Sequence, residues 1–251
     1  MIAILLCAGY ATRLYPLTEN QPKSLLPIAG RPMIEFILDK LHPLSDLKHA
    51  YVVTNHKFAE HFSKWARAGK FPWPVTIVDD QTLTNEDRLG AIGDLSYVLK
   101  THTPGIAHDM VVLAGDNLFA SPLDHFVMHG IDRRPAAGIA VYDVKDLELA
   151  KKYGIVRTGP DGKVLEFLEK PQNPPGTLAS CGVYWLPKET RPLLDRYLGE
   201  GHNADQPGHY MRWLAHHHGL FAIPLEGHWY DIGDLNSYQS ADALFRSTDK
   251  V

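Results

Sequence analysis

Residues Leu5 to Pro27, LLCAGYATRLYPLTENQPKSLLP, open as an apolar strand, turn through a loop of small residues and then present Arg13 and Lys23 on either side of that loop. Small residues let several backbone N–H groups point at one spot, and two nearby cations make that spot suited to a polyanion. The competing reading is an ordinary strand–loop–helix connection with a solvated Arg and Lys. Thr12-Arg13-Leu14 and Pro22-Lys23-Ser24-Leu25-Leu26-Pro27, flanking the loop together, weigh toward a triphosphate cradle. Ile2 to Cys7 before the loop is continuously apolar, as in a strand buried on both faces of a parallel sheet.

Composition narrows the partners. A length of 251 residues suits one large α/β domain or two small ones, with 45% apolar and 22% charged residues in an ordinary globular balance. The formal net charge of -4 speaks against a general affinity for nucleic acid or an anionic membrane, both of which need a basic surface. Any phosphate site is therefore local. Cys7 and Cys181 have neither disulfide-framework nor zinc-ligand spacing and read as buried small residues in a reducing compartment. The opening MIAILLCAG has no basic leader, and no segment approaches the length of a bilayer span, so a cytoplasmic protein is expected.

Along the chain, Arg31-Pro32 opens a helical pattern with Ile34, Ile37, Leu38 and Leu41 on one stripe. Ala50–Val53 reads as a strand, and His56 to Ala68 as a helix whose Phe58, Phe62 and Trp65 face the core. A strand at Pro74–Val78, a polar loop at Thr82–Arg88 and a helix from about Leu89 to Lys100 follow. Met110–Ala114 is another buried strand, ending in Gly115-Asp116-Asn117, which is good turn chemistry and equally a place for a metal or phosphate partner. Strands at 138–142, 154–157, 164–169 and 178–186 lack full helices between some of them, so an antiparallel addition to a parallel sheet is expected. Helices at 188–198 and 208–217, a strand at 220–224 and a last helix from Leu235 to Phe245 complete the chain. His216-His217-His218, ahead of Gly219, reads as a solvated helix end and not as a metal site.

Five motifs in this order resemble the nucleotidyltransferases that make nucleotide sugars, above all the glucose-1-phosphate thymidylyl- and uridylyltransferases. They are LCAGYATRLYPLT with QPKSLLPIAGRPMIEFILDKL, then GDNLF, then KKYGIV with FLEKP, then LASCGVYWLP, and last WYDIGD. The resemblance implies a GT-A-like α/β fold: a Rossmann-like, mixed and mainly parallel sheet flanked by helices, with an antiparallel sugar-binding addition. It implies one catalytic domain over 1–251, its nucleotide part about 1–120 and its sugar-phosphate part about 121–251. The implied reaction is in-line attack of a sugar 1-phosphate on the α-phosphorus of a nucleoside triphosphate, with release of pyrophosphate. A phosphate oxygen is already ionised at neutral pH, so bringing two anions together and neutralising charge are what the protein must supply.

By the same resemblance, Arg13 and the amides around Ala8 and Gly9 would hold the β- and γ-phosphates, and Lys23 would reach the α-phosphate. Gly90 would contact the base through its backbone. Asp116 and Asp231 would hold one Mg²⁺, with Asp234 acting as a helix N-cap. Lys170 would pair with the sugar phosphate, and Asn117, Gly154 and Glu169 would meet sugar hydroxyls; for Glu169 an exposed strand-end charge is the competing reading. Two departures from the family stand out. Where its opening loop carries three glycines, only Gly9 survives; alanine suits a negative φ, so Ala8 and Ala11 should limit the bend without abolishing the cradle. Where thymidylyltransferases carry Gln-Pro, this chain has Asp79-Asp80-Gln81, which leaves the base open. The other readings are a cytidylyltransferase acting on a polyol phosphate or phosphonate, and a nucleotide-sugar sensor without turnover. Retention of Arg13, Lys23, Asp116, Lys170 and Asp231 speaks against the sensor. A bare catalytic core is expected, with homo-oligomerisation left open.

Overall fold

A computed structural model describes residues 1–105 and 107–248. In chain order the elements are β1 (Ile2–Leu6), β2 (Pro27–Ile28), β3 (Arg31–Pro32), α1 (Met33–Asp39), β4 (Ala50–Thr54), α2 (Ala59–Ala68), β5 (Val75–Asp79) and α3 (Ala91–Thr101). Then follow β6 (Met110–Ala114), β7 (Asn117–Phe119), α4 (Asp124–Asp132), β8 (Ala137–Asp143), α5 (Leu147–Ala150), β9 (Gly154–Thr158), β10 (Val164–Glu169) and β11 (Leu178–Leu186). The remainder is α6 (Arg191–Gly199), α7 (Pro207–His217), β12 (Leu220–Pro224), β13 (Trp229–Asp231) and α8 (Leu235–Thr248).

β1 is central and pairs in parallel with β4 on one side and β6 on the other; β5 extends the parallel part beyond β4. Its alternation explains the layering. Ala3 and Leu5 point into one core, with Ile34 and Ile37 of α1 and Phe62 of α2; Ile2 and Ile4 point into the other, with Ile92, Leu95, Val98 and Leu99 of α3. A strand buried on both faces has no position for a polar side chain, which is why this one carries none. Each fully buried Ile or Leu contributes roughly 1.5–3 kcal/mol by leaving water.

β11 runs antiparallel to β6 and carries the sheet into the expected addition, pairing antiparallel with β8 and β9, while β10 pairs antiparallel with β9. β12 lies parallel to β8. The mixed sheet flanked by helices therefore matches the expectation. The register brings Leu6 beside Val53 and Ala114, so the carboxyl ends of β1, β4 and β6 align, and the segments leaving them share one edge.

Local differences have physical reasons. Arg31-Pro32 does not open the helix: Pro32 is extended (φ -52, ψ 133) and pairs with Pro27 in a two-rung hairpin, and α1 starts at Met33. Asn117 does not merely end a turn; it begins β7, which pairs with β13, Asp231 opposite Asn117. Three-residue strands carry too little alternation to be seen in a sequence. The histidines end α7 as expected but are anchored: His217 stacks on Trp213 at 4.3 Å, and His218 Nε2 lies 2.7 Å from the Pro135 carbonyl.

Candidate active site

The loop after β1 is tied down by its carbonyls. Buried Asn55 donates from Nδ2 to the Ala8 carbonyl (2.8 Å), and buried Thr18 donates from Oγ1 to the Ala11 carbonyl (2.8 Å). Among the described residues, the amides of Ala8, Gly9, Tyr10 and Ala11 have no hydrogen-bond acceptor. Oxygens held back and N–H groups left open make an anion-binding concavity. One expectation is corrected here. Ala11 is left-handed (φ 49, ψ 42), not at negative φ, so an alanine occupies a conformation that costs a Cβ-bearing residue roughly 1–2 kcal/mol. Thr18 and the Leu14 amide, both bonded to the Ala11 carbonyl, hold it there. A Cβ on Gly9 would meet nothing within 4 Å, so this surviving glycine leaves open space beside the loop.

Arg13 follows in a single 3-10 turn, exposed and without a protein partner among the described residues. Lys23, in a second such turn, is only 12% exposed and donates from Nζ to Asp116 Oδ2 at 2.7 Å. Asp116 Oδ1 in turn accepts from Asn117 Nδ2 (2.8 Å), and Asn117 Oδ1 accepts from Trp229 Nε1 (2.7 Å). Both ends of the Asn117 side chain are thus engaged in orienting Asp116. The β7–β13 pairing, with the Ile232 amide donating to the Asp116 carbonyl at 3.1 Å, carries Asp231 beside Asp116.

Charge in this corner is under-neutralised. Burial opposes ionisation of Asp116, but the charge and hydrogen bond of Lys23, helped by Asn117, hold its carboxyl below the usual range. Asp231 is pushed up to about 6, first by burial and then by the like charge of Asp116, with Lys23, Arg13 and Lys170 opposing. Its carboxylate has no hydrogen-bond donor among the described residues. Two facing carboxylates served by one ammonium fit a divalent cation. Among the described residues no group of three or more His, Cys, Asp or Glu side chains could hold a metal, so an ion held here would have Asp116 and Asp231 as its protein ligands and would need phosphate and water for the rest. Asp234 sits apart in the expected cap, accepting from the Ser237 amide at 2.8 Å.

Two clefts meet here. The first is lined by the loop residues Ala8–Ala11 together with Asn85, Arg88, Gly90 and Asp94; the second by Tyr153, Gly154, Glu169, Lys170, Ser180 and Asp234. Arg13, Lys23 and Asp116 line both. In the second cleft Lys170 is left-handed (φ 45), and its Nζ lies 3.8 Å from Glu169 Oε1. Glu169 is half-buried and faces the cleft, so the exposed strand-end alternative does not describe it. Gly154 is opposite Glu169 in the β9–β10 register, and a Cβ there would collide with the Phe167 ring and lie 3.2 Å from Glu169 Oε2. Gly154→Ala is therefore expected to raise the KM for the second substrate about tenfold or more by tilting Glu169, with a smaller change in the KM for the first. Steady-state kinetics with each substrate varied in turn checks this split.

In the first cleft Gly90 has φ +78 and ψ 161, and the space its Cβ would need is filled by the backbone of Ala204 and Asp205. Asp79, Asp80 and Gln81, from the segment aligned with base reading, line neither cleft. Gln81 is exposed at φ 68, and Asp80 is buried, its Oδ1 accepting from the Thr82 amide and hydroxyl at 2.7 Å each. The residue that does reach the cleft is Asp94, in the first turn of α3 and 5% exposed. A first-turn aspartate reads as an ordinary partner of the helix dipole. The one sequence signal against that is its place among the apolar residues Ile92, Leu95 and Val98, which the structure buries.

Burial, then the neighbouring Asp80 carboxyl, pushes Asp94 up to about 8. Its folded value lies above the unfolded one, so the folded state holds the extra proton between about pH 4 and pH 8. The stability it contributes is complete below pH 4 and is lost as pH rises through 8. Unfolding free energy is expected to fall by an amount on the order of a few kcal/mol across that window, and Asp94→Asn to flatten the fall. Urea unfolding at pH 5, 7 and 9 measures both.

Comparison with known proteins identifies relatives of the chain. A family model described as nucleotidyl transferase matches residues 2–247. The chain is 29% identical over 250 residues to the bifunctional protein GlmU of Methanococcus maripaludis, covering 98% of this chain and 54% of that protein. It is 31% identical over 186 residues to the UTP--glucose-1-phosphate uridylyltransferase AglF of Haloferax volcanii, covering 73% of this chain and 71% of that one. The chain spans about half the length of the curated GlmU relatives it matches. A solved structure of UDP-glucose pyrophosphorylase with UDP-glucose superposes with a TM-score of 0.82 at 20% identity, covering 98% of both chains, which shows the shared fold.

Proposed function

The chain belongs to the nucleotidyl transferase family, and from that membership we propose that it transfers a nucleotidyl group from a nucleoside triphosphate to a sugar 1-phosphate, giving a nucleotide sugar and pyrophosphate. The observation that carries this reading is the junction: Arg13, Lys23 and Asp116 line both clefts, so two phosphorylated substrates placed in them meet at two cations and an acid. The names of the relatives supply the acceptor class, a hexose 1-phosphate.

In this reading Arg13 and the open amides of Ala8–Ala11 bind the outer phosphates, and Arg13 offsets charge growing on the departing pyrophosphate. Lys23 holds the α-phosphate where the two clefts join. An ionised oxygen of the acceptor phosphate forms the new P–O bond to the α-phosphorus as the bond to pyrophosphate breaks, and no side chain has to take a proton. Lys170 pairs with the acceptor phosphate and Glu169 accepts from sugar hydroxyls, which sets the line of attack. A divalent metal fits the acid pair; we assign Mg²⁺ to Asp116 and Asp231, where it would supply charge neutralisation to the phosphate oxygens it meets. The described residues contain no helix long and apolar enough to cross a membrane.

Pyrophosphate release, followed with Mg²⁺, each common nucleoside triphosphate and a panel of sugar 1-phosphates and polyol phosphates, tests the reading. Release with at least one sugar 1-phosphate is expected; polyol phosphates alone supporting release would replace the acceptor, and silence with every pair would sink the transferase.

A further inference from the structure

Glu169 ends β10 in the second cleft with its side chain 17% exposed. Among the described residues its carboxylate accepts no hydrogen bond, and Lys170 Nζ stands off at 3.8 Å. A carboxylate without a donor is located by packing alone. Glu169 Oε2 occupies the space that a Cβ on Gly208 would fill, and it lies 3.2 Å from where a Cβ on Gly154 would stand. The Phe167 ring, 1% exposed, backs the same space, 2.7 Å from the Gly208 Cβ position. Gly154, Phe167, Glu169 and Gly208 all line the second cleft.

Nothing in the helix asks for a glycine at 208. Gly208 follows Pro207 in the first turn of α7, is buried, and does not use the positive φ that is a glycine's ordinary purpose. Alanine is the more stable residue in a helix. What alanine would lose is the room for the carboxylate. The backbone there is tied down: the Ala204 and Asp205 carbonyls accept from the Ile92 and Ala91 amides at 2.8 and 3.2 Å, Arg88 clamps the Asp205 side chain, and α7 packs along β10. A Cβ at 208 is therefore accommodated first by the end of a flexible side chain, and that end is the Glu169 carboxylate. The buried Phe167 ring yields less.

We infer that Gly208 is a positioning residue for the second substrate: its missing Cβ is the seat of the Glu169 carboxylate, and the seat fixes where that carboxylate meets the hydroxyls of the acceptor sugar. The inference rests on the second cleft being the acceptor site. Hydrogen bonds weaken steeply with misalignment, so a carboxylate pushed off its seat binds the sugar more weakly. The first cleft, which Gly208 does not line, keeps its nucleotide. Residue type gives no sign of this, because a glycine after a proline reads as turn chemistry.

Steady-state kinetics of the full chain with each substrate varied in turn tests the seat. Gly208→Ala is expected to raise the KM for the sugar 1-phosphate about tenfold or more and to leave the KM for the nucleoside triphosphate within about twofold. In a Glu169→Ala background the same substitution should change the sugar KM by less than about twofold, since the group it displaces is gone. An unchanged sugar KM in Gly208→Ala overturns the inference, as does an equal rise in both backgrounds, which is what a merely structural glycine would give. A crystal structure of Gly208→Ala reads the seat without turnover: a displaced Glu169 carboxylate is expected, and one left in place overturns the inference whatever the kinetics. If Gly208→Ala does not fold, combining it with Phe167→Leu relieves the ring contact and leaves the Glu169 contact to be read in the same way. A displaced carboxylate in a chain that releases no pyrophosphate with any substrate pair would sink the transferase reading and leave the seat standing.

Discussion

Asp116→Asn is expected to lower kcat for pyrophosphate release by about a thousandfold or more, with no recovery at high Mg²⁺. The amide keeps the shape of the carboxylate and still accepts from Asn117, so the loss isolates charge. Two effects combine. The acid pair loses half its negative charge, and Lys23, 12% exposed, loses the carboxylate 2.7 Å from its ammonium. Leaving that ammonium unpaired costs about 2 kcal/mol of stability, less than for a fully buried pair because Asp116 is 36% exposed. Asp231 reports the change independently. Its value of about 6 is raised in part by Asp116, so the variant's Asp231 should ionise at lower pH, visible in a carboxyl titration by NMR. Full activity at limiting Mg²⁺ would remove Asp116 from the metal site.

Gly90→Ala should have the second large effect. The glycine combines φ +78 with ψ 161, a region that residues with a Cβ hardly enter, and an added Cβ would come within 2.6 Å of the Ala204 carbonyl oxygen. That backbone cannot yield freely: the Ile92 amide donates to the Ala204 carbonyl at 2.8 Å, and Arg88 clamps Asp205. The expected cost is about 3 kcal/mol, which lowers Tm by roughly 6–12 °C in a domain of this size. Nucleotide affinity should fall with it, since the start of α3 lines the first cleft. Gly201→Ala provides the control, with φ +77 and open space around the position. If the two variants melt alike, contact with the 204–205 segment contributes nothing to the stability.

Much of the site was legible in the sequence because its parts are local. A loop of small residues after a buried strand, Arg13 one turn on, and Lys23 after a proline are neighbours in sequence and remain neighbours in space. Glu169 and Lys170 end a strand whose alternation is plain, and they face the second cleft together with Gly154, their partner across the β9–β10 ladder. Ala11 shows the limit of such reading. Residue type alone argued for negative φ, whereas the hydrogen bonds from Thr18 and Leu14 to its carbonyl hold it left-handed.

The sequence by itself determined the parallel core, the small-residue loop after it and the identity of the charged residues, because apolar periodicity and small-residue loops act over a few positions. Only the tertiary structure decided which charges meet. Asp116 and Asp231 come together through β7 and β13, two strands too short to show a period, and Asn117, which lines the second cleft, also braces Asp116 against Trp229. Asp94 looks like a solvated first-turn acid until the sheet and α3 close over it and set it against Asp80. Burial and like-charge proximity are sums over elements distant in sequence, and they change what a carboxyl does without changing any residue near it.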